Sequence, residues 1–257
     1  MIAVMLALTG CKVADAPDNL EALMVYGLVN FDEADRFLEA TEASLLPEVE
    51  AHYDEMNGGY RVDSLTAADL EAAGVDAPDV TDIIGAMGVV EYTHSLDEVL
   101  DPISAENKDE LFDNFLEFEI KDSTDRQCFL SGECDRLDQT VYEKTHVDVV
   151  GDAARTYTNS YRWVNDPDLP RAVMIRQLNP DTVEFEGSAL NLTVYQQYSF
   201  VIMYETGNTA RRVEAFWVDF EVLGMEVPDT FAVNNAVNAM GNQAENVDTY
   251  LDGGVPE

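Results

Sequence analysis

The stretch Asn191-Leu-Thr-Val-Tyr-Gln-Gln-Tyr-Ser-Phe-Val-Ile-Met-Tyr-Glu205 is rich in β-branched and aromatic residues, and so is the next run, Ala210-Arg-Arg-Val-Glu-Ala-Phe-Trp-Val-Asp-Phe-Glu-Val-Leu223. A short segment containing a glycine, Thr206-Gly-Asn-Thr209, joins the two. Residues of these types favour strands, and a short glycine-containing connection is typical of a β-hairpin. The two runs therefore predict a pair of long antiparallel strands.

A helix is predicted directly after this hairpin. Apolar residues recur there at spacings of three and four, which places them on one face of a helix. These residues are Val233, Val237, Met240, Ala244, Val247 and Leu251. Pro228 and Asp229 precede the pattern and Gly253 follows it, as expected for the start and the end of a helix. We expect the apolar face to cover the sheet.

The rest of the chain predicts helices first and strands later. Helical patterns cover residues 19–56 and 80–87, and Ser95 with Glu98 forms a capping box for a helix over residues 96–103. Strands are predicted at residues 88–94, 115–120, 140–150, 153–163 and 172–178. Helices followed by strands with short turns between them indicate an α+β protein.

Composition and charge limit the possible partners. The chain has 257 residues, 46% of them hydrophobic, which is enough for one large domain with a substantial core. It carries 51 acidic and 14 basic residues, a net charge of -37, and such a surface repels a polyanion. We therefore expect no nucleic-acid partner. Two interpretations of the charge stay open: a surface that binds cations or basic proteins, and a solvated surface suited to salty surroundings.

The N-terminus, Met1-Ile-Ala-Val-Met-Leu-Ala-Leu-Thr-Gly-Cys11, is an uncharged apolar run. Its end resembles the lipobox of bacterial lipoprotein signal peptides, in which the cysteine becomes the acylated first residue of the mature protein. The resemblance implies a lipid on Cys11, a membrane bound through that lipid, and a place in the bacterial cell envelope facing the periplasm or the cell surface. Residues 12–19 would form a tether. The run lacks the basic residues of a secretory signal, and a buried strand is the alternative.

Two cysteines, Cys128 and Cys134, remain once Cys11 is set aside. An even number of cysteines in an oxidising compartment predicts a disulfide. A metal pair is the alternative, but no histidine or further cysteine is near in sequence, and zinc pairs are usually spaced more closely. We expect a disulfide, no metal site and no cofactor.

Three stretches resemble the START-like lipid-transfer domains of the Bet v 1 or polyketide-cyclase (SRPBCC) superfamily. They are Val89-Val-Glu-Tyr-Thr-His-Ser-Leu-Asp-Glu-Val-Leu100, Arg155-Thr-Tyr-Thr-Asn-Ser-Tyr-Arg-Trp163 and Glu226-Val-Pro-Asp-Thr-Phe-Ala-Val-Asn-Asn235. The chain departs from the pattern of the family at Thr156, where an aspartate is expected, and at Phe231, where a tryptophan often follows the proline. The subfamily and the ligand therefore stay open.

The resemblance implies a helix-grip fold, an α+β architecture in which a curved antiparallel sheet wraps around the long C-terminal helix. This domain would cover residues 88–252, with residues 20–87 as a helical extension of the same domain. Between the sheet and the helix, the family implies an apolar cavity that holds a lipid, a sterol or a similar molecule.

The residues expected to line this cavity come from the strands and the C-terminal helix. Side chains alternate between the faces of a strand, so Val194, Tyr198, Phe200 and Ile202 are expected on one face. The polar candidates interrupt apolar strands and would orient a ligand, although for each arginine a structural ion pair is the alternative. The full set is Tyr161, Arg162, Met174, Arg176, Tyr198, Phe200, Ile202, Phe216, Val233, Val237 and Met240.

The sequence contains no nucleophile elbow, zinc-protease motif, phosphate loop or cysteine–histidine pair, so no catalytic residues are predicted. The first hypothesis is a monomeric envelope lipoprotein that binds and shuttles a hydrophobic small molecule. The second is a surface interaction or structural lipoprotein whose cavity is filled by its own side chains. The third is a cyclase- or aromatase-like enzyme on the same fold. A cavity of several hundred cubic ångströms would favour the first hypothesis over the second.

Overall fold

A computed structural model of the chain describes residues 17, 19–33, 46–57, 59–76, 83–108, 111–147, 150–164, 170–187, 192–222, 225–226 and 229–256. Within these residues the helices are α1 (Leu20–Val29), α2 (Leu46–Ala51), α3 (Tyr53–Asn57), α4 (Ala67–Ala72), α5 (Leu96–Ile103), α6 (Arg126–Leu130) and α7 (Asp229–Leu251). The strands are β1 (Tyr60–Val62), β2 (Ile84–Glu91), β3 (Phe115–Ser123), β4 (Arg136–Val147), β5 (Gly151–Val164), β6 (Ala172–Asn179), β7 (Val183–Glu184), β8 (Leu192–Thr206), β9 (Thr209–Val222) and β10 (Met225–Glu226). Cys11 and the predicted signal segment lie outside the described residues, as does most of the predicted tether.

The strands of the described part form one antiparallel sheet. Its order is β1-β2-β9-β8-β6-β5-β4-β3, with β10 paired to β9 and β7 paired to β8. The predicted hairpin is confirmed as β8 and β9, and Gly207 in its turn has a φ of 73°, which favours glycine. The predicted C-terminal helix is confirmed as α7, which packs against β2. The fold class is therefore confirmed: an α+β protein with an antiparallel sheet and a long C-terminal helix across it.

We call the face of the sheet that carries α7 the inner face, and the opposite face the outer face. The N-terminal helices α1 to α4 cover the outer face, and they share one hydrophobic cluster with Tyr198, Phe200 and Trp217 of the sheet. Gly27 of α1 lies so close to the ring of Phe200 that an added Cβ would overlap it. The Trp217 indole donates a hydrogen bond of 2.9 Å to the carbonyl of Asp63. The outer face is thus a packed core.

The inner face is packed at one end only. There α5, α6 and the second half of α7 form a second cluster with the strands, including Leu100, Phe129 and Val247. Phe129 stacks on Trp163 with ring centroids 5.4 Å apart. A disulfide between Cys128 and Cys134, with Cα atoms 5.2 Å apart, ties α6 to the segment that follows it, as predicted. Large side chains of this cluster fill the space between the sheet and the helices at this end of the inner face.

The interpretation of residues 80–87 as helical is wrong for Ile84 to Met87, which belong to β2. Most of β2 is buried, because the N-terminal helices cover its outer face and α7 covers its inner face. A strand buried on both faces is apolar without alternation, and a short run of this kind cannot be distinguished from a helix by periodicity. Gly88 of this strand lets α7 approach, since an added Cβ would lie 2.5 Å from Met240 Cε.

Among the described helices, none combines the length and the apolar character that crossing a bilayer requires.

Candidate functional site

A cavity of about 610 Å³ lies between the inner face and α7. Its volume falls within the range of about 300–1,000 Å³ that is usual for small-molecule sites. Strands β4, β5, β6, β8 and β9 form its floor, α7 covers it, and residues just before and at the start of β3 form one side. Its apolar wall includes Phe115, Val147, Phe185, Val194, Phe216 and Met240. The remainder of the wall is polar and charged.

Glu143 on β4 is the centre of the first polar group in the cavity. Only 2% of its surface is exposed, and one of its oxygens accepts a hydrogen bond of 2.7 Å from the hydroxyl of Tyr157. The other oxygen accepts a bond of 2.6 Å from Nε of Arg155. Arg155 also donates to Oε1 of Gln197 at 2.7 Å, so the group joins three strands, β4, β5 and β8. The register explains the pairing, because Glu143 lies directly opposite Arg155 in the ladder.

The pKa values in this group follow from burial and from the Glu143 carboxylate. Burial raises the pKa of Tyr157, and the negative charge of Glu143 raises it further, so the phenol stays neutral. Burial by itself would lower the pKa of Arg155, but Glu143 outweighs it and holds this pKa above its ordinary value. The group is thus a charged Arg–Glu pair with a neutral phenol.

Arg212 on β9 is the centre of the second polar group. Its Nη2 donates to Glu214 at 2.6 Å, and its Nη1 donates to Oε1 of Gln243 on α7 at 2.6 Å. Arg212 and Glu214 are each 7% exposed. Burial by itself would lower the pKa of Arg212, but the Glu214 carboxylate and the Tyr92 hydroxyl together outweigh this effect and raise the pKa. The buried Nε of Arg212 has no hydrogen-bond partner within the described residues.

Lys108 supplies a third cation to the cavity. It follows α5, is half-buried, and its Nζ lies 5.5 Å from the centroid of the Phe118 ring. Burial lowers the pKa of Lys108 to about 8; the Glu143 charge opposes this effect, whereas Arg212 and Arg155 add to it. Lys108 therefore lies within the electrostatic reach of both Arg–Glu pairs.

Two of the residues predicted from sequence line the cavity, Phe216 on β9 and Met240 on α7. Met240, Ala244 and Val247 of the predicted apolar stripe are buried, so this part of α7 faces the sheet as expected. Tyr161 is on the inner face but in its packed end, where its hydroxyl donates to the carbonyl of Ile103 at 3.2 Å. Val237 and Val233 pack against Gly59.

Six predicted residues lie on the outer face instead, and their assignment to the cavity is corrected here. They are Arg162, Met174, Arg176, Tyr198, Phe200 and Ile202. β8 has an irregularity between Val194 and Gln196, which inserts one residue and reverses the alternation beyond it. Val194 therefore lines the cavity, while Tyr198 faces the N-terminal helices. Because both faces of β8 are apolar here, side-chain polarity did not indicate the change of side.

The two predicted arginines have structural partners on the outer face. Arg162 donates to the carbonyl of Phe31 at 2.9 Å. Arg176 forms an ion pair of 2.9 Å with Asp32 and lies over the Phe31 ring, 4.6 Å from its centroid. Both therefore hold the end of α1 to the sheet, which agrees with the structural alternative stated for them.

The charged residues of the cavity were missed in the sequence. Arg155 and Tyr157 occur at alternate positions of β5, and Arg212 and Glu214 at alternate positions of β9. Polar residues spaced by two within an apolar strand indicate a polar site on one face. The resemblance implied an apolar cavity whose polar residues were Tyr161, Arg162 and Arg176, and the polar pattern on β5 and β9 was not assigned to the cavity.

Solved structures that match the chain include START and related domains. The human StAR-related lipid transfer protein 5 matches with a TM-score of 0.42 and 10% sequence identity, over 86% of this chain and 98% of that chain. A START superfamily protein from Mycobacterium smegmatis matches with a TM-score of 0.42 and 9% identity, over 66% and 97% of the two chains. The Zhui aromatase/cyclase from Streptomyces sp. R1128 matches with a TM-score of 0.41 and 16% identity, over 67% and 99%.

No protein-family model and no curated protein matches the chain.

Proposed function

We propose that this chain binds a hydrophobic ligand with one polar end in the cavity between the sheet and α7, and carries it between membranes as an envelope lipoprotein. The observation that carries the proposal is the cavity itself, with apolar residues such as Phe216 and Val194 and two Arg–Glu pairs in the same wall. An amphipathic molecule matches both kinds of wall, whereas a purely apolar ligand would make no polar contact with the charged part of the wall.

The cavity favours a carrier over a protein with a filled core. The outer face and one end of the inner face are packed with large side chains. The middle of the inner face keeps about 610 Å³ of space, although larger apolar residues could have filled it. Open cavities reduce stability, since each missing methylene contact costs free energy. A cavity that lowers stability is expected to be retained where a ligand fills it.

The experiment that tests this proposal combines ligand recovery with transfer. The protein, purified without detergent, would be extracted with organic solvent, and the extract would be analysed by mass spectrometry for a small molecule at about one per chain. Transfer of a fluorescent lipid between donor and acceptor vesicles would be followed in parallel. If neither a bound molecule nor transfer above the protein-free rate is found, the carrier proposal fails.

Two matched variants assign any binding to the cavity. Thr145 on β4 lines the cavity, whereas Thr156 on the neighbouring strand β5 is exposed. Thr145→Trp fills the cavity and is expected to remove the bound molecule and the transfer activity. Thr156→Trp adds the same side chain on the solvent side and is expected to change neither. Equal effects of the two variants would locate binding elsewhere.

The envelope location is the second part of the proposal, and it depends on the residues before Cys11. One acyl chain gives only marginal membrane binding, so a stable anchor requires more than one chain. Expression in a bacterial host followed by detergent phase separation would place the protein in the detergent phase, and Cys11→Ser would move it to the aqueous phase. The N-terminal peptide should carry the mass of the acyl groups. A water-soluble wild-type chain without added mass would contradict the anchor.

An enzyme of the cyclase type is the second candidate function. The observation in its favour is the contact between the Tyr157 phenol and the Glu143 carboxylate inside the cavity, beside Lys108. Hydrogen-bonded acid and base groups in a cavity are the usual components of proton-transfer catalysis. The two functions differ in the fate of the ligand: a carrier releases it unchanged, whereas an enzyme converts it during incubation. Mass spectrometry before and after incubation distinguishes them.

A further inference from the structure

Among the described residues, three cations line the cavity, and two of them form ion pairs with glutamates. Arg155 contacts Glu143, and Arg212 contacts Glu214, with nitrogen–oxygen distances of 2.5 and 2.6 Å. The third cation is Lys108. Within the described residues its ammonium takes part in no hydrogen bond and no ion pair. The face of a phenyl ring is a weak partner for a cation, because it neutralises no charge.

An anion is the chemical group that would complete this site. A partly buried ammonium costs free energy unless an opposite charge lies next to it. The only other acidic residue among the described lining residues, Asp113, is exposed. With a neutral head group, Lys108 would have no ion-pair partner among the described residues of the cavity.

The charge of the site distinguishes a carboxylate from a phosphate. A phosphate monoester carries about −1.5 to −2 charges at neutral pH, and it is best held by several basic groups. Each arginine of the cavity already forms an ion pair with a glutamate, so among the described lining residues Lys108 is the one cation without an ion-pair partner. One ammonium balances one carboxylate.

We propose that the ligand of this cavity is an amphipathic carboxylate whose head group contacts the ammonium of Lys108 and whose hydrocarbon part lies against Phe216 and Val194. This inference rests on the proposed function, since it specifies the polar end of the ligand. Gln177 and Gln197 also line the cavity and add amide groups to its polar wall.

The test uses a series of ligands with one chain length and different head groups. Dodecanoate, dodecan-1-ol, dodecyl phosphate and dodecyltrimethylammonium would be titrated against the folded protein by calorimetry at pH 7. A charge-assisted contact predicts that dodecanoate binds at least about tenfold more tightly than dodecan-1-ol. Dodecyl phosphate should bind more weakly than dodecanoate, and dodecyltrimethylammonium most weakly.

Two variants at one position separate the charge from the shape of the side chain. Lys108→Met keeps most of the length and removes the charge, so it should weaken dodecanoate by about tenfold and leave dodecan-1-ol unchanged. Lys108→Arg keeps the charge and should keep the preference for dodecanoate. Circular dichroism and the thermal midpoint would confirm that both variants are folded.

The outcomes distinguish this inference from the proposed function. If no dodecyl compound binds, or if Thr145→Trp leaves binding unchanged, the proposed function fails. If dodecan-1-ol binds in the cavity but dodecanoate binds no more tightly, only the carboxylate inference is overturned. Loss of both dodecanoate and dodecan-1-ol binding in Lys108→Met would also overturn the carboxylate inference. So would tighter binding of dodecyl phosphate than of dodecanoate to the wild type.

Discussion

Glu143 shows how one buried residue organises the cavity. Its two carboxylate oxygens accept hydrogen bonds from Tyr157 and Arg155, and it is almost fully buried. Removing one partner of a buried ion pair is more harmful than removing a neutral hydrogen-bonding group, because the remaining charge has no partner. At Glu143, the contribution of a charged partner, Arg155, to stability can therefore be compared with that of a neutral partner, Tyr157.

The first prediction concerns that comparison. Glu143→Gln should lower the free energy of unfolding by about 3–5 kcal/mol, since it leaves Arg155 charged and unpaired. Tyr157→Phe removes one hydrogen bond to the same carboxylate and should cost about 1.5–3 kcal/mol. Urea unfolding followed by circular dichroism measures both values. A smaller loss for Glu143→Gln than for Tyr157→Phe would show that Arg155 reaches water in the folded protein.

The second prediction concerns pH and Lys108. Burial lowers the pKa of Lys108 to about 8, whereas an unfolded lysine has a value of 10.5. Between these values the unfolded chain binds a proton that the folded chain lacks, so the free energy of unfolding gains a contribution that rises with pH. Relative to Lys108→Met, the wild type should become more stable by about 1–3 kcal/mol from pH 8 to pH 10.

The variant serves as the reference for this pH dependence, because Glu143, Arg155 and Arg212 face Lys108 in both proteins. Unfolding curves at matched pH values give the difference directly. If the difference in free energy of unfolding between the wild type and Lys108→Met stays constant from pH 8 to pH 10, the amine of Lys108 is solvated and titrates as in water. A difference that falls with pH would mean that Lys108 is stabilised as a cation.

At the scale of elements, α1 approaches β8 closely at Gly27. Gly27 is buried, and an added methyl group would overlap the Phe200 ring, which is itself fully buried. The ring cannot move without displacing its neighbours in the outer cluster. Gly241 on α7 offers a comparison, since nothing lies within 4 Å of an added Cβ there.

The third prediction uses this pair of helical glycines. Alanine favours a helix over glycine by up to about 1 kcal/mol, so Gly241→Ala should raise the free energy of unfolding by about 0.5–1 kcal/mol. Gly27→Ala gains the same helix preference, but its added methyl group overlaps the Phe200 ring. Overpacking a core typically costs about 1–3 kcal/mol. We expect Gly27→Ala to be destabilising. Urea unfolding of both variants measures the signs, and stabilisation of both would show that α1 can shift away from β8.

Elements could be predicted from the sequence where a local rule decides them. The hairpin, α5 with its capping box and α7 have such rules in turn chemistry, capping and periodicity. β2 could not be identified in its first half, because it is buried on both faces and its residues show no alternation. The remaining errors concern the side of the sheet on which an element lies, which depends on distant parts of the chain.

The prediction of the cavity residues was limited in the same way, by contacts between distant parts of the chain. Sequence reasoning identified two of its lining residues, Phe216 and Met240, and placed it correctly under α7. It put Tyr198 and Phe200 on the wrong side, because a single inserted residue in β8 reverses the alternation. Local periodicity contains no information about which face a distant helix covers. The packing of the N-terminal helices on β8, for example of Gly27 on Phe200, decides it, and these residues are far apart in sequence.

At the scale of the whole molecule, the acidic surface differs from the cavity, which contains two ion pairs. The chain has a net charge of -37, whereas the described lining of the cavity holds three cations and two buried carboxylates. Like charges on the surface repel one another and destabilise the compact state. Inside the cavity the two Arg–Glu pairs are in contact at short distance, where added salt screens them less. Salt should therefore act on the surface and leave the cavity unaffected.

The last prediction follows from this division. Raising KCl from about 0.01 to 0.3 M shortens the screening length from about 30 Å to under 10 Å, so surface repulsion weakens and the thermal midpoint should rise by several degrees. Most of the rise should occur below about 0.3 M, because screening saturates, whereas exclusion of salt from the surface continues to higher concentrations. Circular dichroism at 222 nm measures the midpoint across the series.

A charge-reduced variant provides the control for this salt response. Glu71, Glu106, Glu117 and Glu133 are exposed, and replacing all four by glutamine reduces the net negative charge without touching the cavity. At low salt this variant should have a higher midpoint than the wild type, and its response to KCl should be smaller, because less repulsion remains to be screened. An equal response in both proteins would mean that salt acts through something other than surface charge. Binding of a dodecyl ligand should be unaffected by the four changes, since the ion pairs that shape the cavity are buried and independent of the surface.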